Sequence, residues 1–156
     1  HILSRLSTPL SDLLAITAAD GTVCALEFAD QAERLHRLFA RHHPAAALAD
    51  GPPPHPLAAA LDDYFSGHLA ALNGLAVAIT GTGFQRRAWA ALRAIPAGQT
   101  RSYAQQAASI GQPSATRAIG SANCSNPIAI IVPCHRVIGA AGALTGYAGG
   151  IERKAW

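Results

Sequence analysis

The sequence predicts two domains: an α/β domain over residues 1–79, with a small antiparallel sheet and helices, and a mostly α-helical domain over residues 80–156 with a helix-turn-helix. Three observations support this fold class. A hairpin pattern lies near the N-terminus, two short helical segments flank a tight turn in the second half, and the sign of the net charge changes between the halves. Because half of the residues are apolar and 13% are charged, we expect a globular protein.

The N-terminal half predicts a β-hairpin followed by two helices. Two apolar runs, residues 12–18 and 23–28, flank the turn pair Asp20-Gly21 and predict the hairpin. Apolar spacing and helix breakers predict the other elements: a helix over about 31–41, a proline-rich loop over 51–56 that is not helical, a helix over about 57–66 ended by Gly67, and a strand over 75–79.

The C-terminal half begins with an amphipathic helix. Phe84, Ala88 and Leu92 share one face of a helix over 84–95, which Pro96 stops, and they are expected in the core. Two further helices, 102–110 and 114–123, flank a three-residue turn and have the spacing of a helix-turn-helix. The expected N-caps are Ser102 and Ser114, and Arg117 lies on the second helix.

Charge divides the chain at the glycine-rich segment 80–83. Residues 1–79 carry four arginines against eight acidic residues, a net charge of −4, whereas residues 80–156 carry seven arginines and one lysine against one acidic residue, a net charge of +7. This asymmetry predicts that the C-terminal half binds a polyanion. A solvated basic surface would give the same count, so charge alone does not decide the function.

Several classes of protein are disfavoured by composition. No apolar run reaches the ~18 residues of a membrane span, and no export signal is recognisable, so no membrane partner is expected. Three cysteines, Cys24, Cys124 and Cys134, predict reduced thiols in the cytoplasm, with the nucleoid as the site in a bacterium. Cys24 follows Val23 on a predicted strand and is expected in the core. No ligand spacing indicates a metal site, and no cofactor is expected.

The candidate for chemistry is Cys134. The apolar run 130–132 predicts a short buried strand, which would hold the thiol on a rigid support after Pro133. A thiol attacks as the thiolate, and a neighbouring cation such as Arg136 favours that form. By itself, this stretch fits a small core cysteine equally well.

His135 follows the cysteine directly. Neighbouring side chains of a strand point to opposite faces, so the sequence predicts a relay between Cys134 and His135 through one water rather than a direct hydrogen bond. A cysteine hydrolase draws its histidine from elsewhere in the chain, and His135 is the only histidine after residue 68, which disfavours that class. Upstream, the Asn126 side chain can fix the loop by bonding backbone groups.

Seven segments follow one another in order between residues 82 and 154: Phe84-Gln85, Ile95-Pro96-x-Gly98-x-Thr100, Ser102-Tyr103, Arg117-Ala118-Ile119-Gly120, Asn126-Pro127, Pro133-Cys134-His135-Arg136 and Gly146-Tyr147-Ala148-Gly149-Gly150. In this order they resemble the O6-alkylguanine-DNA alkyltransferases. The resemblance implies a small α/β N-terminal domain, and a winged-helix-like C-terminal domain that carries both DNA binding and chemistry. It also implies a single-turnover transfer of an alkyl group from O6-alkylguanine in double-stranded DNA, by a monomer.

The resemblance assigns roles by position. Cys134 would accept the alkyl group, His135 would be the water-mediated base, and Asn126 would order the active-site turn. Tyr103 would bind the flipped guanine and help rotate its phosphate, and Arg117 would fill the space that the base leaves. The remaining candidates for the substrate and DNA are backbone groups of Cys134 and Val137, the Tyr147 side chain, the Ala148 N–H, and Thr100, Ser102 and Arg136.

Three positions depart from the family pattern. Members have a glutamate behind the histidine, in a helix that follows the position of Lys154, and that position would lie beyond Trp156. Gly83 stands in place of a usual proline, and Ala148 in place of a serine found in some members. Two other classes stay open: a DNA-binding module without chemistry, whose members lack the cysteine, and a cysteine hydrolase that turns over.

Overall fold

The computed structural model describes residues 1–139, 147 and 149–155, and the chain forms two compact units, residues 1–79 and 80–156. The first unit is built on a four-stranded sheet in the order β3-β2-β1-β4. Its strands are β1 (Ile2–Leu6), β2 (Leu13–Thr17), β3 (Val23–Phe28) and β4 (Ala49–Asp50). The first three are antiparallel and β4 is parallel to β1, so the predicted hairpin is confirmed as β2 and β3.

The predicted strand over 75–79 is wrong in extent. Only an isolated bridge between Val23 and Val77 forms there. The backbone around it bonds to the end of β3, because the Val23 N–H donates to the Ala76 carbonyl and the Ala78 N–H donates to the Val23 carbonyl, both at 2.9 Å. The segment therefore touches the sheet at one residue and does not extend it as a strand.

This unit contains two helices, each with buried apolar residues. Helix α1 (Ala32–His42) follows a short 3-10 turn and buries Leu35, Leu38 and Phe39, as its spacing predicts. Leu35 and Phe39 join Cys24 in one core cluster, which confirms the expected burial of Cys24. Helix α2 (His55–Phe65) begins two residues earlier than predicted, inside the proline-rich loop. Pro56 fits in its first turn because an N–H there has no helical acceptor.

A buried ion pair links β3 to α1. Glu27 is 2% exposed and accepts from the Arg34 guanidinium, and its carboxylate also accepts from the Phe28 N–H at 3.1 Å. Burial raises the pKa of Glu27, and the nearby Arg34 charge opposes that effect. Both carboxylate oxygens are engaged, so this buried charge does not lie uncompensated in the core.

The second unit packs three helices around small side chains. These are α3 (Gly83–Arg93), α4 (Tyr103–Ser109) and α5 (Thr116–Cys124), and all three contact one another. The buried cluster between them consists of Ala88, Ala107, Ile119 and Ala122. The helix-turn-helix pair is therefore confirmed as α4 and α5.

Capping residues set the helix starts in this unit. Thr82 and Ser102 each form a capping box with a glutamine three residues on, which fixes the first turns of α3 and α4. The predicted N-cap at Ser114 is wrong: α5 begins at Thr116, and no side chain caps it.

Two short strands and a final helix complete the second unit. Strands β5 (Arg101–Ser102) and β6 (Val137–Ile138) pair in parallel, and β6 follows a 3-10 helix over Cys134–Arg136. The last helix is α6 (Ile151–Ala155). Within the described residues, no helix has the length and apolar character that crossing a bilayer requires.

Candidate active site

The segment before Cys134 is a compact buried turn, and the predicted strand over 130–132 is wrong. The Val132 N–H donates to the Ile128 carbonyl at 3.0 Å, and the Ile131 N–H donates to the Ala129 carbonyl at 2.8 Å. Ile130 has φ +70°, a left-handed conformation that costs a β-branched residue about 1–3 kcal/mol. The prediction of burial holds, because each residue from 128 to 132 is at most 5% exposed.

Asn126 holds this turn closed. The side chain is 1% exposed, and its Oδ1 accepts from the Ile128 N–H at 3.0 Å. Its Nδ2 donates to the Val132 carbonyl at 2.8 Å and lies 3.4 Å from Cys134 Sγ, within hydrogen-bond range for sulfur. One amide therefore bonds both ends of the strained turn and the sulfur that follows it. These bonds offset the conformational cost at Ile130.

His135 lies in the 3-10 helix that starts at Cys134, so the strand argument for opposite faces does not apply. Burial, followed by the charges of Arg136 and Lys154, lowers the pKa of His135 from 6.5 to about 4. The imidazole is therefore neutral at pH 7 and can accept a proton. Its Nδ1 is buried and has no hydrogen-bond partner among residues 1–139, 147 and 149–155. The Tyr147 ring packs edge-on against it, with centroids 6.3 Å apart.

Lys154 belongs to this site, and sequence reasoning missed it. It lies on α6 and is only 5% exposed. Burial lowers the pKa of Lys154, whereas the thiolates of Cys134 and Cys124 act in the opposite direction. The side chain thus lies near enough to both sulfurs to respond to their charge. The sequence did contain one feature that could have drawn attention to Lys154: it is the only lysine in a chain with eleven arginines.

The two residues predicted to act on the extruded base lie in the helix-turn-helix. Arg117 is exposed near the start of α5, where its guanidinium can reach a ligand. Tyr103 is the first residue of α4 and is partly buried against the Ala88 and Ile119 cluster. That packing restricts the ring and leaves part of its surface open.

The other candidates divide between structural contacts and exposed positions. The Ser102 hydroxyl accepts from the Gln105 N–H at 3.1 Å as the cap of α4, whereas Thr100 is exposed. Arg136 donates to the Ile95 carbonyl at 2.8 Å and so ties the 3-10 helix to the segment after α3. Val137 is fully buried in β6. Ala148 lies outside the described residues.

Comparison with known proteins decides the family. The C-terminal residues 83–156 match the family model described as 6-O-methylguanine DNA methyltransferase, DNA binding domain. The methylated-DNA–protein-cysteine methyltransferase of Salmonella typhimurium is 46% identical over 154 residues, which span 97% of this chain and 90% of the relative. This chain belongs to the methylated-DNA–protein-cysteine methyltransferase family. The resemblance predicted from the motifs is confirmed.

Solved structures of this family extend the likeness to the fold. Mycobacterium tuberculosis OGT in complex with DNA is 35% identical and superposes with a TM-score of 0.81, covering 99% of this chain and 89% of that one. The methyltransferase of the archaeon Pyrococcus kodakaraensis, at 23% identity and a TM-score of 0.65, shares the fold. Together with the small sheet and the helical second unit, these likenesses confirm the predicted fold class.

We expect Asn126→Ala to weaken both the fold and alkyl transfer. The change removes the bonds to the Ile128 N–H, the Val132 carbonyl and Cys134 Sγ. Buried groups left without partners cost about 1–3 kcal/mol, so urea unfolding should show a loss in that range. The rate of methyl transfer from methylated DNA should fall at least tenfold. The control is Ser125→Ala, whose hydroxyl bonds the Ser121 carbonyl and not the turn. Equal rates in the two variants would contradict this role of Asn126.

Neutral His135 predicts a specific loss of stability in acid. Its folded pKa of about 4 lies below the unfolded value near 6.5, so the unfolded state takes up a proton first as the pH falls. His135 makes its full contribution to the free energy of unfolding above pH 6.5. That contribution is lost as the pH falls to about 4. Urea unfolding at pH 7.5 and pH 4.5 gives the free energy of unfolding at each pH. The decrease between the two should be smaller in His135→Gln than in the wild type. An acid loss in His135→Gln equal to that of the wild type would contradict the assignment.

Proposed function

We propose that this protein repairs DNA by transferring an alkyl group from O6 of guanine to Sγ of Cys134, once and irreversibly, after the base leaves the duplex. The observation that supports this most is the Asn126 turn, which holds the half-buried Cys134 Sγ at 3.4 Å from a buried amide. A cysteine that served only the core would not need a strained turn, a neutral histidine and a buried lysine around it. We assign DNA binding and alkyl acceptance to residues 80–156, and a separate α/β domain to residues 1–79.

The step proposed at Cys134 is a displacement at saturated carbon. The thiolate attacks the alkyl carbon, the bond between that carbon and O6 breaks, and its electron pair stays with the guanine. The guanine takes up one proton and remains in the DNA strand as the normal base. The proton lost from the thiol balances the proton that the guanine gains, so the step balances without an oxidant or a reductant.

Two side chains support thiolate formation in this proposal. His135 is neutral at pH 7, so it can take the thiol proton through one water. Lys154 then faces the new negative charge in a buried setting, where a cation stabilises a thiolate more than it would in water. The buried Nδ1 of His135 is aimed at no acceptor among the described residues, and the glutamate of other family members would suit that atom.

The DNA must deform before the chemistry can begin. The alkylated O6 lies inside the duplex, and extruding a base costs a few kcal/mol. Arg117, exposed on α5, would enter the space that the base leaves and offset part of that cost. Tyr103 would contact the extruded guanine and its phosphate.

The pocket for the guanine is proposed from the family pattern. Backbone groups of Cys134 and Val137 would accept from the guanine amino group, while Tyr147 and the Ala148 N–H would lie against the base and O6. Thr100, Ser102 and Arg136 belong to the same binding region in this proposal. The charge of +7 over residues 80–156 supplies the attraction for phosphate.

The proposed compartment is the cytoplasm, or the nucleoid in a bacterium, where alkylated DNA is accessible. All three cysteines are free thiols in the structure, as a reducing compartment requires. We propose that the protein acts as a monomer, because one chain supplies both the acceptor and the exposed arginine.

We expect a single turnover. An alkyl-cysteine thioether offers a saturated carbon with a poor leaving group, so water does not regenerate the thiol. Titration with excess duplex that contains O6-methylguanine should reach a plateau at one repaired guanine per chain. Peptide mapping should find the methyl group on Cys134. Cys134→Ser should give no transfer, whereas Cys124→Ser should keep the plateau. Continued product release well above one per chain would favour the hydrolase class instead.

Arg117→Ala should reduce repair of duplex DNA far more than reaction with the free base. Only the duplex substrate requires unstacking, so the side chain that fills the gap matters for that substrate alone. We expect at least a tenfold slower reaction with duplex and less than a twofold change with free O6-methylguanine. The matched control is Arg86→Ala, which removes the same charge from an exposed position on α3. Equal losses on both substrates would show that Arg117 acts through the fold.

A further inference from the structure

Two buried amides join the helices of the helix-turn-helix. Gln106 on α4 and Asn123 on α5 are 2% and 8% exposed. The Asn123 Nδ2 donates to Gln106 Oε1 at 2.8 Å, and the Gln106 Nε2 donates back to Asn123 Oδ1 at 3.0 Å. The same Nε2 lies 3.2 Å from the Ala88 carbonyl on α3, to which it also donates. The pair therefore connects all three helices in the interior of the unit.

The buried cluster between the three helices consists mostly of small side chains, and the larger Phe84, Tyr103 and Ile110 pack against it only partly buried. Three of the four members of the buried cluster are alanines, and Ile119 is the fourth. Helices fix their crossing angle by packing side-chain ridges into grooves, and methyl groups make shallow ridges. Such a surface holds helices together without strongly selecting one orientation. A reciprocal pair of amide bonds forms at one alignment only, so the amides supply the orientation that the alanines do not.

Asn123, near the end of α5, links the pair to the turn that carries the thiol. The Asn123 carbonyl accepts from the Asn126 N–H at 3.3 Å, and Asn126 in turn bonds Val132 and Cys134. Arg117 precedes Asn123 by six residues on α5, a distance of about 9 Å along a helix. A change in the tilt of α5 at Asn123 would therefore move Arg117 relative to Cys134.

We propose that Gln106 and Asn123 are positioning residues for repair of duplex DNA: their amide pair sets the orientation of α5 against the Cys134 turn, so that Arg117 and Cys134 act on the same nucleotide. The proposal rests on the functions proposed for Arg117 and Cys134. It assigns no contact with substrate to either amide. Its consequence is confined to the duplex substrate, because a free base needs the thiol and its turn but not the inserted arginine.

The experiment separates the effect of the amide pair on the orientation of α5 from its effect on the stability of the fold. Each single replacement leaves one buried amide without its partner, which destabilises the fold. The double variant Gln106→Leu/Asn123→Leu removes both amides and fills the space with apolar side chains, so its unfolding temperature should recover toward that of the wild type. Its reaction with duplex O6-methylguanine should nevertheless be at least tenfold slower. Its reaction with the free O6-methylguanine base should change less than threefold.

A control variant separates a general loss of stability from the loss of the amide pair. Ile119→Val removes one methylene group from the same buried cluster, so it lowers stability while leaving the amide pair in place. The ratio of duplex rate to free-base rate should stay at the wild-type value in that variant. If the double variant does not fold, Asn123→Ala measured at a temperature where it is folded must show the same fall in the ratio.

Three outcomes would overturn the proposal. They are a wild-type duplex rate in the folded double variant, equal losses on the two substrates, and a fall in the ratio for Ile119→Val as large as for the amide variants. The proposed role of Cys134 fails separately, if the wild type carries no alkyl group on that residue after reaction with the free base.

Discussion

The hydrogen bonds of one buried side chain, Asn126, determine the geometry of the whole site. Its amide closes a turn in which Ile130 adopts a left-handed conformation, and it also reaches the sulfur of Cys134. Loss of those bonds would leave the left-handed conformation of Ile130 without this support. The rigid support of Cys134 thus comes from the Asn126 amide, a polar group inside an apolar turn. The few hydrogen bonds of this amide fix one conformation of the turn.

Burial of His135 and Lys154 determines how their charges act at the site. Burial lowers the pKa of His135 to about 4, so the imidazole is neutral at pH 7 and is also a weaker base than in water. Lys154 is buried on α6, the helix that contacts the 3-10 helix of Cys134. In the proposed reaction, His135 takes the thiol proton and Lys154 stabilises the negative charge that results.

Local patterns predicted most of the fold, and contacts between distant residues account for what they missed. The hairpin, α1 and the α4–α5 pair follow from turn residues, apolar spacing and Ser102 as a cap, all of which act over a few residues. Strand β1 was not predicted, because its five residues become a strand only by pairing with β2 and β4. The turn at 128–132 has the composition of a strand. Its backbone bonds and its bonds to Asn126 distinguish it from one, and the composition shows neither. Lys154 was missed for the same reason, since its burial depends on residues about twenty positions away.

Amide hydrogen exchange along residues 126–136 tests the role of Asn126 most directly. The account predicts that in Asn126→Ala the N–H groups of Ile128, Val132 and Cys134 exchange much faster than in the wild type. Amides in the middle of α3 and α4 should keep their protection, because those helices do not depend on the turn. Unchanged exchange at Ile128 and Val132 would show that the turn is stable without the Asn126 side chain. A uniform rise across the second unit would show that Asn126 stabilises the fold as a whole and does not specifically position Cys134.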